Sequence, residues 1–247
     1  MPSKFSKNIS ILQIIELLGD KLTYEERRLF SEKLETGFTI VFIFFISVLT
    51  ISLMVYVTSI YRLSGLQEVL SASPETPWGI VTSLFVHSDA SHLLNNMTML
   101  FMFLMLLLAS NIFLSKDVLK KRIRDAFLTV FIVPIILNFF WIFFFPEIKI
   151  LGSSGIVYTL EGACLGLSLL NTLEIRRIHS YSQKEKQQLL VSSLSNLAVF
   201  AGFLISILVS PTGFLDSKYE AITWFHGIAF CGGFSTSVLH PVMYRLR

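Results

Sequence analysis

Asp, Glu, Lys and Arg are absent from five long stretches: Phe38 to Tyr61, Ala90 to Ser115, Ala126 to Pro146, Gln187 to Leu215 and Ala221 to Tyr244. A sixth, Ile150 to Leu173, is interrupted only by Glu161. A helix rising 1.5 Å per residue needs ~20 such residues to cross ~30 Å of hydrocarbon, and each stretch supplies them. In lipid every backbone N–H and C=O must find a partner within the protein, so runs of this length read as helices rather than open strands. Composition agrees: 53% of the 247 residues are hydrophobic, 15% are charged, and mean hydropathy is +0.67. The expected fold is an all-α membrane protein with six transmembrane helices embedded in a lipid bilayer. A net charge of +3 is too small to imply nucleic acid, and no nucleotide-binding pattern is present.

The basic residues give an orientation. Lys4, Lys7, Lys21, Arg27, Arg28 and Lys33 precede the first run, "KDVLKKRIR" and "EIRRIHSYSQKEK" fill alternate connections, and "YRLR" ends the chain. These segments hold all but Arg62, Lys149 and Lys218, so the positive-inside rule places both termini in the cytoplasm, as expected of a multi-pass protein of the cell membrane. Residues 1–36 read as a cytoplasmic amphipathic helical tail and 37–247 as the six-span core. In the tail, Ile11, Ile14, Ile15, Leu18 and Leu22 recur at helical spacing, and "TYEE" (Thr23 to Glu26) reads as a capping box opening a second short helix. The connection from Arg62 to Ser91 is about 30 residues long and partly apolar, which suits the membrane interface. Cys164 and Cys231 sit in apolar runs, where cysteine packs as a small hydrophobe.

Chemistry concentrates at one end of the bundle. "GSSG" opens the fourth run, at a helix N-terminus where unpaired N–H groups and the helix dipole favour negative charge. Serine and glycine there also suit capping and close packing. His226 lies a turn or two inside the sixth run, at comparable depth, and an intramembrane histidine is costly unless it is used. Imidazole within reach of a hydroxyl can take its proton and deliver it to a leaving amine, so Ser154 and His226 form a candidate dyad. His92 and Asn96 are four apart on the second helix and can aim an imidazole and an amide at one developing oxyanion. A metal at His87 and His92 lacks both an HExxH pattern and a carboxylate on that face, so no metal and no other cofactor is expected. Glu161, seven residues after Ser154 and three after Tyr158, shares their face roughly 10 Å deeper, where it needs a proton or hydrogen bonds from groups such as Asn95, Thr98 or Asn138.

"HLLNN" in the second run, "GSSGIVY" in the fourth and "FHGIAFCGG" in the sixth, in that order and at matching depth, resemble the rhomboid family of intramembrane serine proteases. The resemblance spans roughly residues 38 to 244. It implies that the third residue of G-x-S-G, Ser154, is the nucleophile, that His226 is its base, and that His92 and Asn96 stabilise the oxyanion. It further implies that Tyr158 packs against the base, and it matches His87 and Trp78 to recurrent loop residues. Substrates would be transmembrane segments of other proteins. The chain departs from the family at Gly79, where an arginine is usual, at Phe225, where a small residue precedes the histidine, and at Ala229, where a glycine is expected. Two other readings stay open: a non-catalytic rhomboid-like protein that binds and retains membrane clients, and a transporter, which would be expected to show repeat symmetry not found between the runs.

Overall fold

The computed structural model describes residues 23–61, 65–175, 183–209 and 220–245. The tail pattern from Ile11 to Leu22 and the connection at 210–219 lie outside the described residues. Six long helices occur among the described residues: α1 (Tyr24–Tyr61), α2 (Ala90–Asn111), α3 (Lys116–Phe144), α4 (Ser154–Glu174), α5 (Gln183–Val209) and α6 (Glu220–Arg245). Of these, α1, α2, α3 and α4 contain described windows long and apolar enough to cross a membrane. No strand occurs among the described residues; extended pairing is confined to isolated bridges at Ala72–Ile150 and Ser73–Thr76.

The capping box forms. The Thr23 N–H donates to Glu26 Oε2 at 2.7 Å, and the Glu26 N–H donates to Thr23 Oγ1 at 3.3 Å. It opens no short tail helix, however, but the 38-residue α1 itself. Nothing between Thr23 and the first apolar run breaks a helix except Gly37, which is buried against Leu108, so the boundary drawn at 36/37 falls inside a continuous rod.

The bundle is arranged around α4. Its apolar window is 72% buried against 17% for α1, which marks α4 as the central helix and α1 as a peripheral one. Ile156 and Leu160 of α4 share a core with Leu100 and Leu104 of α2 and with Phe200 of α5, whose ring stacks on Phe103 at 5.9 Å. At the far end of α4, Arg122 donates to Asn171 Oδ1, and the Asn171 amide donates to the Ser110 carbonyl at 2.7 Å, joining α2, α3 and α4.

The most extensive helix contact is between α4 and α6. It rests on missing side chains: a Cβ on Gly162 would strike the Phe230 carbonyl oxygen, and one on Gly233 would strike the Thr159 carbonyl oxygen. Gly166 meets the Phe234 carbonyl in the same way, and Ala229 is fully buried. The two small-xxx-small pairs therefore interlock, backbone against backbone. Phe225 occupies the adjoining space, its ring over Gly155 and edge-on to Trp141 at 5.4 Å, so the larger residue before the histidine is accommodated to one side of the contact. Gly233→Val should force α4 and α6 apart and lower unfolding stability in detergent by about 1–3 kcal/mol. Gly202→Ala, where an added Cβ meets nothing within 4 Å, should be neutral or stabilising by up to ~1 kcal/mol.

Candidate active site

Both elements that open onto the site are capped or turned by identifiable residues. Asp89 is the N-cap of α2, its Oδ1 accepting from the His92 N–H at 2.8 Å. Hydrogen bonds from the Ser91 hydroxyl, the His92 N–H and the Ser88 hydroxyl hold the Asp89 carboxyl well below the usual carboxylate range. The Ser154 end of α4 is set by Gly152, at φ 111°, a left-handed conformation that other residues adopt only with strain. The Gly152 N–H donates to the Ser83 carbonyl at 2.9 Å, and Ile150 exchanges hydrogen bonds with Ala72, so the turn is tied to the long connection between α1 and α2. Asn138 of α3 secures that connection in turn, donating to the Ile80 carbonyl at 2.9 Å and to Ser83 Oγ at 3.0 Å.

On this frame Ser154 Oγ lies 3.1 Å from His226 Nε2. The imidazole stacks on Tyr158, with ring centroids 4.3 Å apart and planes inclined by 21°. His226 Nδ1 has no hydrogen-bond partner among the described residues, so ring packing, not a carboxylate, orients it there. The two side chains form a candidate dyad, with no third member among the described residues.

His92 and Asn96 converge as their spacing implies. A Cβ built on Gly152 would lie 2.9 Å from His92 Nε2 and 3.6 Å from Asn96 Nδ2, two residues before the serine. Asn96 is buried, and its Nδ2 has no partner among the described residues. A buried amide donor left without an acceptor is costly, and its position suits an oxygen arriving beside Ser154. His92 Nδ1 lies 3.2 Å from the Ser88 hydroxyl, whose own proton goes to Asp89 Oδ2 at 2.8 Å, so Nδ1–H donates to Ser88 and the neutral ring turns an unprotonated Nε2 toward Gly152.

The remaining candidates are placed differently. His87 is fully buried, with Nε2 at 3.0 Å from Ser153 Oγ and its ring edge-on to His92 at 5.3 Å. Trp78 is 52% exposed and donates its indole N–H to the Val69 carbonyl, with no hydrogen bond or ring contact to Ser154, His226, His92 or Asn96. Beside it, a Cβ on Gly79 would run into the Ser71 backbone, so no side chain fits at this departure from the family pattern. Glu161 is 3% exposed, and its expected hydrogen bonds do not form: Asn95 and Thr98 are exposed, and the Asn138 amide is committed to Ile80 and Ser83. Among the described residues no group of three or more His, Cys, Asp or Glu side chains is gathered to hold a metal.

Three functional features escape a reading of the chain alone. The Asp89 cap has a recognisable signal, an aspartate directly before an apolar run. The Asn138 tether and the His87–Ser153 pair have none, because each joins residues 55 or more positions apart. Comparison with protein-family models, characterised proteins and solved structures returns no match.

Burial pushes the His87 imidazole from 6.5 down to about 4, and the neighbouring His92 adds to the effect. Between those values the unfolded chain binds the proton and the fold does not, so stability rises with pH across the window and is lost as pH falls from about 6.5 toward 4. Thermal melts of the detergent-solubilised protein over this range should show that slope, and His87→Gln should flatten it.

Proposed function

We propose that the chain is an intramembrane serine protease of the rhomboid type, hydrolysing peptide bonds in or near transmembrane segments of membrane-protein substrates. In this reading all six long helices cross the cell membrane with both termini in the cytoplasm, and the site lies just below the opposite face. The alternation of basic connections supports the orientation. The observation that carries the proposal is the 3.1 Å approach of Ser154 Oγ to His226 Nε2 at a helix N-terminus, with Asn96 Nδ2 and the His92 ring beside it.

The chemistry follows from those positions. As Ser154 Oγ bonds to the substrate carbonyl carbon, His226 Nε2 takes the hydroxyl proton and the carbonyl π electrons move onto oxygen. The Ser154 N–H and Asn96 Nδ2 stabilise that oxyanion, and His92 joins them when its ring also carries a proton on Nε2. Collapse breaks the C–N bond, and His226 returns its proton to the departing amine. Water then attacks the acyl-enzyme, with His226 again as base, releasing the acid and restoring the serine. No nucleotide or other cofactor enters any step. A substrate helix shields its own carbonyls by hydrogen bonding, so cleavage requires local unwinding and favours helix-breaking segments.

Wild-type protein in detergent should be labelled by a serine-directed fluorophosphonate and should cleave a reconstituted single-span substrate. Ser154→Ala and His226→Ala should abolish labelling and lower cleavage by about 10³-fold or more. Asn96→Ala should lower kcat by about 10²–10³-fold with the fold intact. A wild-type protein that binds membrane clients yet neither labels nor cleaves would overturn the protease reading in favour of a retention factor.

A further inference from the structure

One side chain of the proposed site is held by a run of hydrogen bonds that ends on a carboxylate. Asp89 Oδ2 accepts from the Ser88 hydroxyl at 2.8 Å, and the Ser88 oxygen lies 3.2 Å from His92 Nδ1. The other carboxylate oxygen accepts from the Ser91 hydroxyl at 2.6 Å and from the His92 N–H at 2.8 Å. Asp89 thus grips the backbone of His92 directly and its ring through Ser88. A hydroxyl has one proton to give, and an ionised carboxylate is the stronger acceptor, which leaves the Ser88 oxygen to accept from the ring. Asp89 stays ionised at ordinary pH, because hydrogen bonds from Ser91, the His92 N–H and Ser88 favour its charged form. On the far side of the ring Nε2 faces the turn at Gly152, where a Cβ would lie 2.9 Å from it and 3.6 Å from Asn96 Nδ2.

We infer that Asp89 is a positioning residue acting through Ser88: it holds His92 in the tautomer with its proton on Nδ1, so that the ring donates to the substrate oxyanion only after taking a second proton at Nε2. The inference rests on the protease reading. Neutral, the ring turns a lone pair toward the oxyanion; as a cation it turns an N–H. The Nδ1–H bond to Ser88 is the same in both states, so protonation at Nε2 disturbs no contact of the chain from Asp89. The titratable groups that face the ring are Asp89 of its own cap, His87 of the preceding connection, edge-on at 5.3 Å, and His226 of α6. Burial keeps His87 neutral at ordinary pH. Two imidazoles of one site then serve in opposite protonation states, His226 neutral as base and His92 charged as donor. At higher pH the Ser154 N–H and Asn96 act on the oxyanion alone, and His92 joins them as pH falls.

Two readouts test it, one of them independent of catalysis. In detergent-solubilised protein whose histidines carry an NMR-active nitrogen isotope, Hε1 and Hδ2 both couple strongly to Nε2 and Hε1 alone to Nδ1, which names the protonated nitrogen of each ring. The chain has five histidines, and His92→Gln identifies the signals of this one. At about pH 8 wild-type His92 should carry its proton on Nδ1, and Ser88→Ala should move it to Nε2. Asp89→Asn keeps the helix cap but reverses the chain: its single oxygen serves the His92 N–H, its amide donates to Ser88, and the Ser88 hydroxyl turns its proton onto Nδ1. The same change to Nε2–H is expected there. The second readout is kcat on a single-span substrate, each variant divided by the same variant carrying His92→Ala at the same pH, so that any loss of fold in acid cancels. In the wild-type background this ratio should widen about 10-fold or more between about pH 8 and about pH 6. With Ser88→Ala or Asp89→Asn it should stay level within about twofold, while Ser88→Thr, which retains the hydroxyl, should behave as wild type. A wild-type ring protonated on Nε2 at about pH 8, or a wild-type ratio that does not move with pH, would overturn the inference. Folded Ser88→Ala and Asp89→Asn variants that keep the proton on Nδ1 would overturn it equally. Should those variants fail to fold, the wild-type spectrum and the wild-type ratio decide alone. If wild type neither labels with the fluorophosphonate nor cleaves, the protease reading itself fails, and the role at the oxyanion falls with it whichever tautomer the spectrum shows.

Discussion

Backbone contact between α4 and α6 is the constraint on which the rest of the structure depends. Each of these helices carries one member of the proposed dyad, and a hydroxyl and an imidazole meet at 3.1 Å only if their helices lie closer than ordinary side chains allow. Gly162, Gly166 and Gly233 remove the obstructing Cβ atoms, and carbonyl groups of the opposing helix fill the space. In a lipid-like surrounding, where apolar side chains gain little from leaving their neighbours, such close van der Waals contact is a main source of helix association. The same contact thus holds the bundle together and sets the reach of Ser154 to His226.

The loop frame has a complementary role. The helix pair fixes the dyad, while the approach of His92 and Asn96 depends on how the connection between α1 and α2 is tied to the turn before α4. Gly152 is where the two systems meet. It accepts the strain-free left-handed backbone, donates to Ser83, and leaves room for the His92 ring where a side chain would collide. Asn138 and the buried His87–Ser153 pair fasten the frame from two sides. The His92 and Asn96 side chains beside Gly152 are therefore preorganised by polar contacts of a connection that, from its length alone, resembles an interfacial loop.

The departures from the family pattern find local physical reasons. Gly79 packs against the Ser71 backbone, so no long side chain could stand there. Phe225 lies over Gly155 and against Trp141, to the side of the glycine contact, and leaves the approach of α6 undisturbed. Glu161 is a buried polar element inside the bundle, and no hydrogen bond to it is found among the described residues.

The helices themselves were legible in the chain. Charge-free length and the Thr23 capping box depend on neighbours within a few residues, and the apolar runs correspond to the helices described, with α3 reaching back to Lys116 through a charged stretch. The spacing of His92 and Asn96 on one face, and of Ser154 with Tyr158, is likewise local, since a helix dictates it. What the chain alone left open was convergence: that Ser154 Oγ comes within 3.1 Å of His226 Nε2, that Ser153 turns to His87, and that Asn138 serves the loop rather than Glu161. These are decided by interhelical distance and by competition among polar groups for partners far apart in sequence, and neither exists until the helices have packed.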